Sequence, residues 1–319
     1  MISTVARAAR PAPMITTDGG AMVSARVNDM AAAAYAGWLR EDATLEEMRT
    51  GFDGMCPEPP ADATLTEGVV GGVRGTWVEV PESGEATILH FHAGGYLIGS
   101  PTSHRDLGSR IARAAGARVF LADYRLAPEH AFPAAHDDGV AAYRGMLADG
   151  VDPASLVVSG DSAGGGLALA VLAAARDAGD PLPAAGVLMS PWADLTLAGD
   201  SMTGREAVDP LVSRAVLTEM QQGYLQGVDP ADHRASPLLG NLAGLPPLLV
   251  QVGSSEVLED DAVRIADGVL RAGGEAFLQV GYEMVHVFQM FADRLPEGAA
   301  AVDRIGAFVR AHVRSTATV

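Results

Sequence analysis

Gly160-Asp161-Ser162-Ala163-Gly164 joins two stretches of different periodicity. An apolar run, Leu156-Val157-Val158, leads into it, and a small-residue helical run carrying Leu167, Ala170, Val171 and Ala174 leads away. The serine is therefore expected on a sharp strand-to-helix turn. Glycines two places either side of Ser162 let the backbone pass through dihedrals that a Cβ forbids, which pushes the hydroxyl out of the turn into a site. Such a junction requires a strand and a helix packed back onto it, and so restricts the fold to layered α/β architectures.

The same alternation runs through most of the chain. Leu65 to Val80 reads as two strands turning at Gly71-Gly72, and Ile88 to Phe91 as a third. A helix at about Ser103 to Ala115, a strand at Val119 to Ala122 and a helix at about His136 to Ala148 precede the serine turn. After its helix come strands at Val187 to Met189 and Leu248 to Val252, a helix near Asp260 to Leu270, a strand at Phe277 to Val280 and a closing helix from about Ala299 to Val313. Several of these strands are apolar throughout, which calls for a mostly parallel central sheet with helices on both faces and working loops at the carboxyl ends of the strands. Two stretches fall outside the pattern. At the N-terminus, Val23 to Arg40 and Leu45 to Phe52 read as helices, a first piece of lid. Between Thr196 and Asn241 the alternation stops, and Leu211 to Leu225 reads as an inserted helix between Asp209-Pro210 and Asp229-Pro230, a second piece. The expected division is 1–55 and 196–241 as helical cap, with 56–195 and 242–319 as the two parts of an α/β core.

Composition narrows the function. A chain of 319 residues, 48% hydrophobic and 19% charged, buries a full-sized core. The net charge of −18 disfavours nucleic acid and anionic membrane surfaces as partners. No apolar run is long enough to span a bilayer. Cys56 is the single cysteine, so no internal disulfide forms, and residues 1–20 lack an apolar secretory segment; cytoplasmic residence is the expectation.

A serine hydroxyl is a weak nucleophile and needs a base within hydrogen-bond reach and a third group to hold that base. Of eight histidines, His286 follows the last strand, in Met284-Val285-His286-Val287-Phe288. The loop after Val252 supplies Glu256, Glu259, Asp260 and Asp261; the last three begin a helix, where acids complement the N-terminal dipole, so Glu256 is the expected orienting carboxylate and Asp260 its substitute. Gly94 and Gly95 offer bare backbone N–H groups for an oxyanion, with the N–H of Ala163 as a third donor. His92 is expected to brace that loop through its ring nitrogens.

With these residues in view, the chain resembles the bacterial hormone-sensitive-lipase-like esterases of the α/β-hydrolase fold, over nearly its whole length. His92-Ala93-Gly94-Gly95-Tyr96 resembles the family's oxyanion motif, Asp123-Tyr124-Arg125-Leu126-Ala127-Pro128-Glu129 its characteristic loop, Gly160 to Gly165 its nucleophile motif, and Glu256 to Asp260 with His286 its acid and base. Two positions depart from the pattern: Ala93 stands where the family's first glycine does, and Glu256 where most members carry aspartate. The resemblance implies hydrolysis of short- to medium-chain carboxylic esters through an acyl-enzyme, without cofactor or metal, by a monomer or homodimer. It also makes Met30, Trp38, Tyr96, Trp192, Leu211 and Tyr224 candidates for the substrate pocket, with Phe52 beside them. A lactone, formamide or carbamate hydrolase shares the same tetrahedral oxyanion, and a binding protein on a dead hydrolase is a more remote alternative.

Overall fold

Period-two alternation within wholly apolar runs decides how the core is divided. The computed structural model describes residues 18–36 and 42–314, with side chains from residue 27 onward. Its strands are β1 (Thr64–Val70), β2 (Val73–Glu79), β3 (Ala86–Phe91), β4 (Ala117–Ala122), β5 (Leu156–Asp161), β6 (Ala185–Met189), β7 (Leu248–Gly253) and β8 (Ala276–Gly281). Its helices are α1 (Asp18–Tyr35), α2 (Leu45–Met55), α3 (Pro101–Ala115), α4 (Ala134–Ala148), α5 (Ala163–Ala178), α6 (Ser201–Gly204), α7 (Arg214–Leu225), α8 (Glu259–Arg271) and α9 (Pro296–His312).

The strands form one sheet in the order β1-β2-β4-β3-β5-β6-β7-β8. β2 runs antiparallel to β1 and β4, and the remaining neighbours are parallel. Successive strand residues point to opposite faces. Leu89, Val158, Leu188 and Val250 join one buried cluster with Leu167, Leu172, Ile265 and Val269 of α5 and α8. Their neighbours Ile88, Val157, Val187 and Leu249 join another with Leu107 and Ile111 of α3 and Ile305 and Val309 of α9. The expected two-sided coverage of a mostly parallel sheet is therefore met.

Register aligns the strands' exits. Phe91 pairs with Gly160 and Asp161 with Met189, so β3, β5 and β6 end together and release the His92, Ser162 and Ser190 loops on one edge of the sheet. β7 and β8 end at the paired residues Gly253 and Gly281, ahead of Glu256 and His286. Between β6 and β7 the chain leaves the sheet and forms α6 and α7. The expected helix at Leu211 starts instead at Arg214, because Asp209 captures the N–H groups of Leu211 and Val212 and Ser213 caps Val216 N–H. Among the described residues, no helix is long and apolar enough to cross a membrane.

Candidate active site

Ser162 occupies φ 54° and ψ −121°, between the last residue of β5 and the first of α5. Its N–H donates to Met189 O at 2.9 Å, continuing the sheet for one residue before the chain reverses. The reversal presses α5 onto β3: a Cβ on Gly164 would stand 2.0 Å from Phe91 O. No other residue fits there, and the strained serine backbone is held by this packing.

Three loops converge on the hydroxyl. His286 Nε2 lies 2.9 Å from Ser162 Oγ, and His286 Nδ1 lies 2.8 Å from Glu256 Oε2. Buried Met284, Val285, Val287 and Phe288 anchor the segment on either side of His286, leaving the imidazole as its polar projection. Glu256 sits in a turn whose N–H donates back to Gly253 O, and its Oε1 accepts from Gly253 N–H and, at 2.7 Å, from Ser190 Oγ–H. Ser190 Oγ in turn accepts the N–H of Val287 at 3.1 Å. The longer glutamate side chain is accommodated by folding over its own turn, with Ser190 tying it to the histidine loop from the other side. Asp260 is directed elsewhere: its Oδ2 accepts the N–H of Ser201 at 2.8 Å. Asp261 receives the N–H groups of Ala193 and Asp194, and burial pushes its carboxyl up to about 7.

The titrating groups oppose one another. Complete burial raises the Glu256 carboxyl above its ordinary value, and the hydrogen bonds from His286, Ser190 and Gly253 hold that rise in check. Burial alone would lower His286, but the Glu256 carboxylate, together with Asp209 and Asp161, outweighs it and the net shift is upward.

The loop after β3 passes beside the hydroxyl. Gly95 adopts φ 61°, and a Cβ there would stand 2.1 Å from Met220 Sδ. Neither Gly94 N–H nor Gly95 N–H meets a backbone acceptor among the described residues. Ala163 opens α5, where the first N–H groups have no intrahelical partner. His92 is buried, with Nδ1 2.7 Å from Ala93 O, its ring stacked on Tyr124 at 4.2 Å, and Nε2 without a hydrogen-bond partner among the described residues. Burial lowers it to about 3, so it is neutral. Of the two ring nitrogens expected to brace the loop, one does so and stacking replaces the other. Beneath the serine, Asp161 accepts from His90 Nε2 and His104 Nε2 at 3.1 Å each, and these histidines hold its carboxyl far below the ordinary range despite burial. These three side chains form the described group of potential metal ligands, and their ligand atoms are already joined by hydrogen bonds.

A cavity of about 60 Å³ opens in front of Ser162, between the Gly94-Gly95 loop and α7. A family profile described as the α/β-hydrolase fold matches residues 88–290. The chain is 45% identical over 279 residues to an acetyl-hydrolase of Streptomyces hygroscopicus, covering 86% of this chain and 92% of that one. It is 35% identical to an esterase of Acinetobacter venetianus, covering 82% and 87% of the two chains. A crystal structure of an esterase from the bacterial hormone-sensitive lipase family superposes with a TM-score of 0.88 at 42% identity, covering 94% of this chain and all of that one. The chain belongs to that esterase family.

In this esterase the candidate pocket residues separate. Trp192 and Leu211 line the cavity, as does Phe52. Tyr96 and Tyr224 do not: they are buried and stacked on each other with ring centroids 3.9 Å apart, Tyr224 being on α7. Met30 does not line the cavity; it packs against the cluster of Leu211, Met284 and Phe288. Trp38 lies outside the described residues. Tyr35, Val212, Val216, Leu217, Met220 and Met290 also line the cavity. Of these, Val216, Leu217 and Met220 share one face of α7 at helical spacing, which is the signal that a finer reading of the insertion would have used. In the Asp123 to Glu129 loop, Arg125 grips Asp138 at 2.7 Å, and Glu129 is held by both terminal nitrogens of Arg49 at 2.7 Å. Arg49 also donates to Leu97 O at 2.8 Å, tying α2 to the loop beside the site.

Proposed function

We propose that this esterase hydrolyses short-chain carboxylic esters through an acyl-enzyme, with Ser162 as nucleophile, His286 as base and Glu256 as the group that orients it. The observation carrying this reading is the continuous relay from Ser162 Oγ to His286 Nε2 at 2.9 Å and from Nδ1 to Glu256 at 2.8 Å. Ser162 Oγ attacks the ester carbonyl carbon as His286 Nε2 takes its proton. Gly94, Gly95 and Ala163 N–H groups receive the oxyanion, and Glu256 stabilises the imidazolium. The C–O bond to the alcohol breaks, and His286 delivers the proton to the departing oxygen. Water then attacks the acyl carbon, losing a proton to His286, which returns it to Ser162 as the acid leaves.

The small cavity and the acetyl-hydrolase name of the relative at 45% identity both support a short acyl group. Residues 196–241 and the N-terminal helices act as the cap, since α7 contributes the cavity's upper wall and α2 contributes Phe52. The deciding experiment is covalent labelling with a fluorophosphonate alongside hydrolysis of nitrophenyl esters of graded chain length. The expected result is stoichiometric labelling that disappears in Ser162→Ala, with acetate and butyrate preferred over longer chains. Labelling that persists in Ser162→Ala would refute the assignment.

A further inference from the structure

One carboxylate outside the relay touches both the cavity wall and the acid's turn. Asp209 lies half-buried in the insertion just ahead of α7. Its Oδ1 accepts the N–H of Leu211 at 3.0 Å and of Val212 at 2.9 Å, both residues of the cavity wall. Its Oδ2 accepts the N–H of Val257 at 2.9 Å, the residue that follows Glu256. Neighbouring bonds fasten the same insertion to the Glu256 turn and to α8: Ser201 Oγ–H donates to Val257 O at 2.6 Å, and Arg205 pairs with Glu259 at 2.7 Å. Those bonds attach the insertion as a whole. Asp209 differs in joining, through the two oxygens of one planar group, the backbone that faces the acyl group and the backbone that carries the acid.

We propose that Asp209 is a positioning residue for ester hydrolysis, its carboxylate fixing Leu211 and Val212 against the Glu256 turn so that cavity wall and relay keep one relative placement. The inference rests on the relay assigned above. A carboxylate is required because all three partners are donors: an amide in its place turns an N–H₂ group toward at least one of them, and two donors facing each other form no hydrogen bond. The charge has a second effect. The negative groups acting on His286 are Glu256, Asp209 and Asp161. The phenol of Tyr35, on the same cavity wall, feels Asp209 as well and is held neutral by burial. Removing the Asp209 charge therefore lowers the His286 pKa.

The test compares Asp209→Asn with Glu206→Gln, which removes the same charge from an exposed position three residues away. Rates for nitrophenyl acetate are measured from pH 5 to 9 on the intact protein. The expected result for Asp209→Asn is a loss of about tenfold or more in kcat/KM, the equivalent of one charged hydrogen bond, together with an acid limb displaced to lower pH, while Glu206→Gln matches the parent protein. A purely structural role lowers the melting temperature without moving the acid limb. If Asp209→Asn is insoluble, Asp209→Glu keeps the charge but displaces it by one methylene; the expected result is an unmoved acid limb with a raised KM. Asp209→Asn behaving as Glu206→Gln does, or Asp209→Glu keeping the parent's KM, overturns the proposal. Failure of the relay itself would register separately, as fluorophosphonate labelling that survives Ser162→Ala.

Discussion

Replacing Glu256 by glutamine tests the relay most sharply, because the surrounding donors dictate which way the amide must face. Gly253 N–H and Ser190 Oγ–H both donate to Oε1, the latter at 2.7 Å, so the amide oxygen is held there. The amide nitrogen then stands where Oε2 accepted from His286 Nδ1 at 2.8 Å. Since that nitrogen only donates, Nδ1 must lose its proton and the ring takes the other tautomer. His286 Nε2 then carries hydrogen toward Ser162 Oγ and cannot act as base. Flipping the amide sets its N–H₂ against the Gly253 N–H, a buried donor conflict of about 1–3 kcal/mol, and takes from the Ser190 hydroxyl its acceptor. The corresponding tautomer error in a serine protease costs about 10⁴-fold in kcat, or about 5 kcal/mol of transition-state stabilisation. A loss of that order is expected here, with KM nearly unchanged, in saturation kinetics on nitrophenyl acetate and with a thermal melt to verify folding. Asp260→Asn is the companion. Its carboxylate accepts from Ser201 N–H, which an amide oxygen also does, so the rate stays within about threefold, matching a substitution of ~0.5 kcal/mol. A glutamine variant within tenfold of the parent, beside a crippled Asp260→Asn, would refute the reasoning.

Four other outcomes follow from the geometry. As the proposed base, His286 acts only when neutral, and Glu256, with Asp209 and Asp161, holds its pKa above the ordinary histidine value of about 6.5. The acid limb of kcat/KM is therefore centred above that value, and a limb at or below it contradicts the assignment. By linkage, the protonated His286–Glu256 pair stabilises the fold fully below the unfolded-state pKa, and that contribution is lost as pH rises through the raised folded value. Gly95→Ala drives a Cβ toward Met220 Sδ at φ 61° and displaces the donor loop; a drop of about 10²–10³ in kcat is expected, and an unaltered kcat shows that this amide takes no part. Met220→Ala removes cavity wall beside Gly95, so the preferred chain length in a nitrophenyl ester series shifts upward; an identical profile rules Met220 out as the limit on acyl length.

The central strands were legible because they bury both faces and so read as near-continuous apolar runs, interrupted by single buried polar residues such as His90 and Gln251. Ile88 to Phe91 and Leu248 to Val252 declare themselves for that reason. The serine, histidine and glutamate were legible because each lies in the connection that follows a strand, where chain order fixes which edge of the sheet it reaches. Pocket residues were not, since side-chain direction decides between cavity and core. Tyr96 follows two glycines, whose backbone freedom erases any periodicity that could aim it. The start of α7 was misread for a similar reason: Leu211 and Val212 continue the helical apolar pattern, but Asp209 takes their N–H groups sideways. Nothing in residue type distinguishes that from an early first turn.

The stacked tyrosines bear on how substrate enters. Tyr224 is sandwiched against Tyr96 and meets Phe132 edge-on at 5.6 Å, while its carbonyl accepts Phe132 N–H at 2.9 Å. Gln221 and Gln226, on the same helix and its end, donate to Leu195 O and Pro128 O at 2.6 and 2.8 Å. Swinging α7 aside would break all of these at once, so it is a fixed roof and not a hinged door. Passage to the serine then depends on rotamer changes of pliable wall residues, Met220 and Met290 foremost. Among the described residues, α7 therefore offers an oil–water boundary no flap to open, and wall rotamers of that kind pass dissolved molecules one at a time.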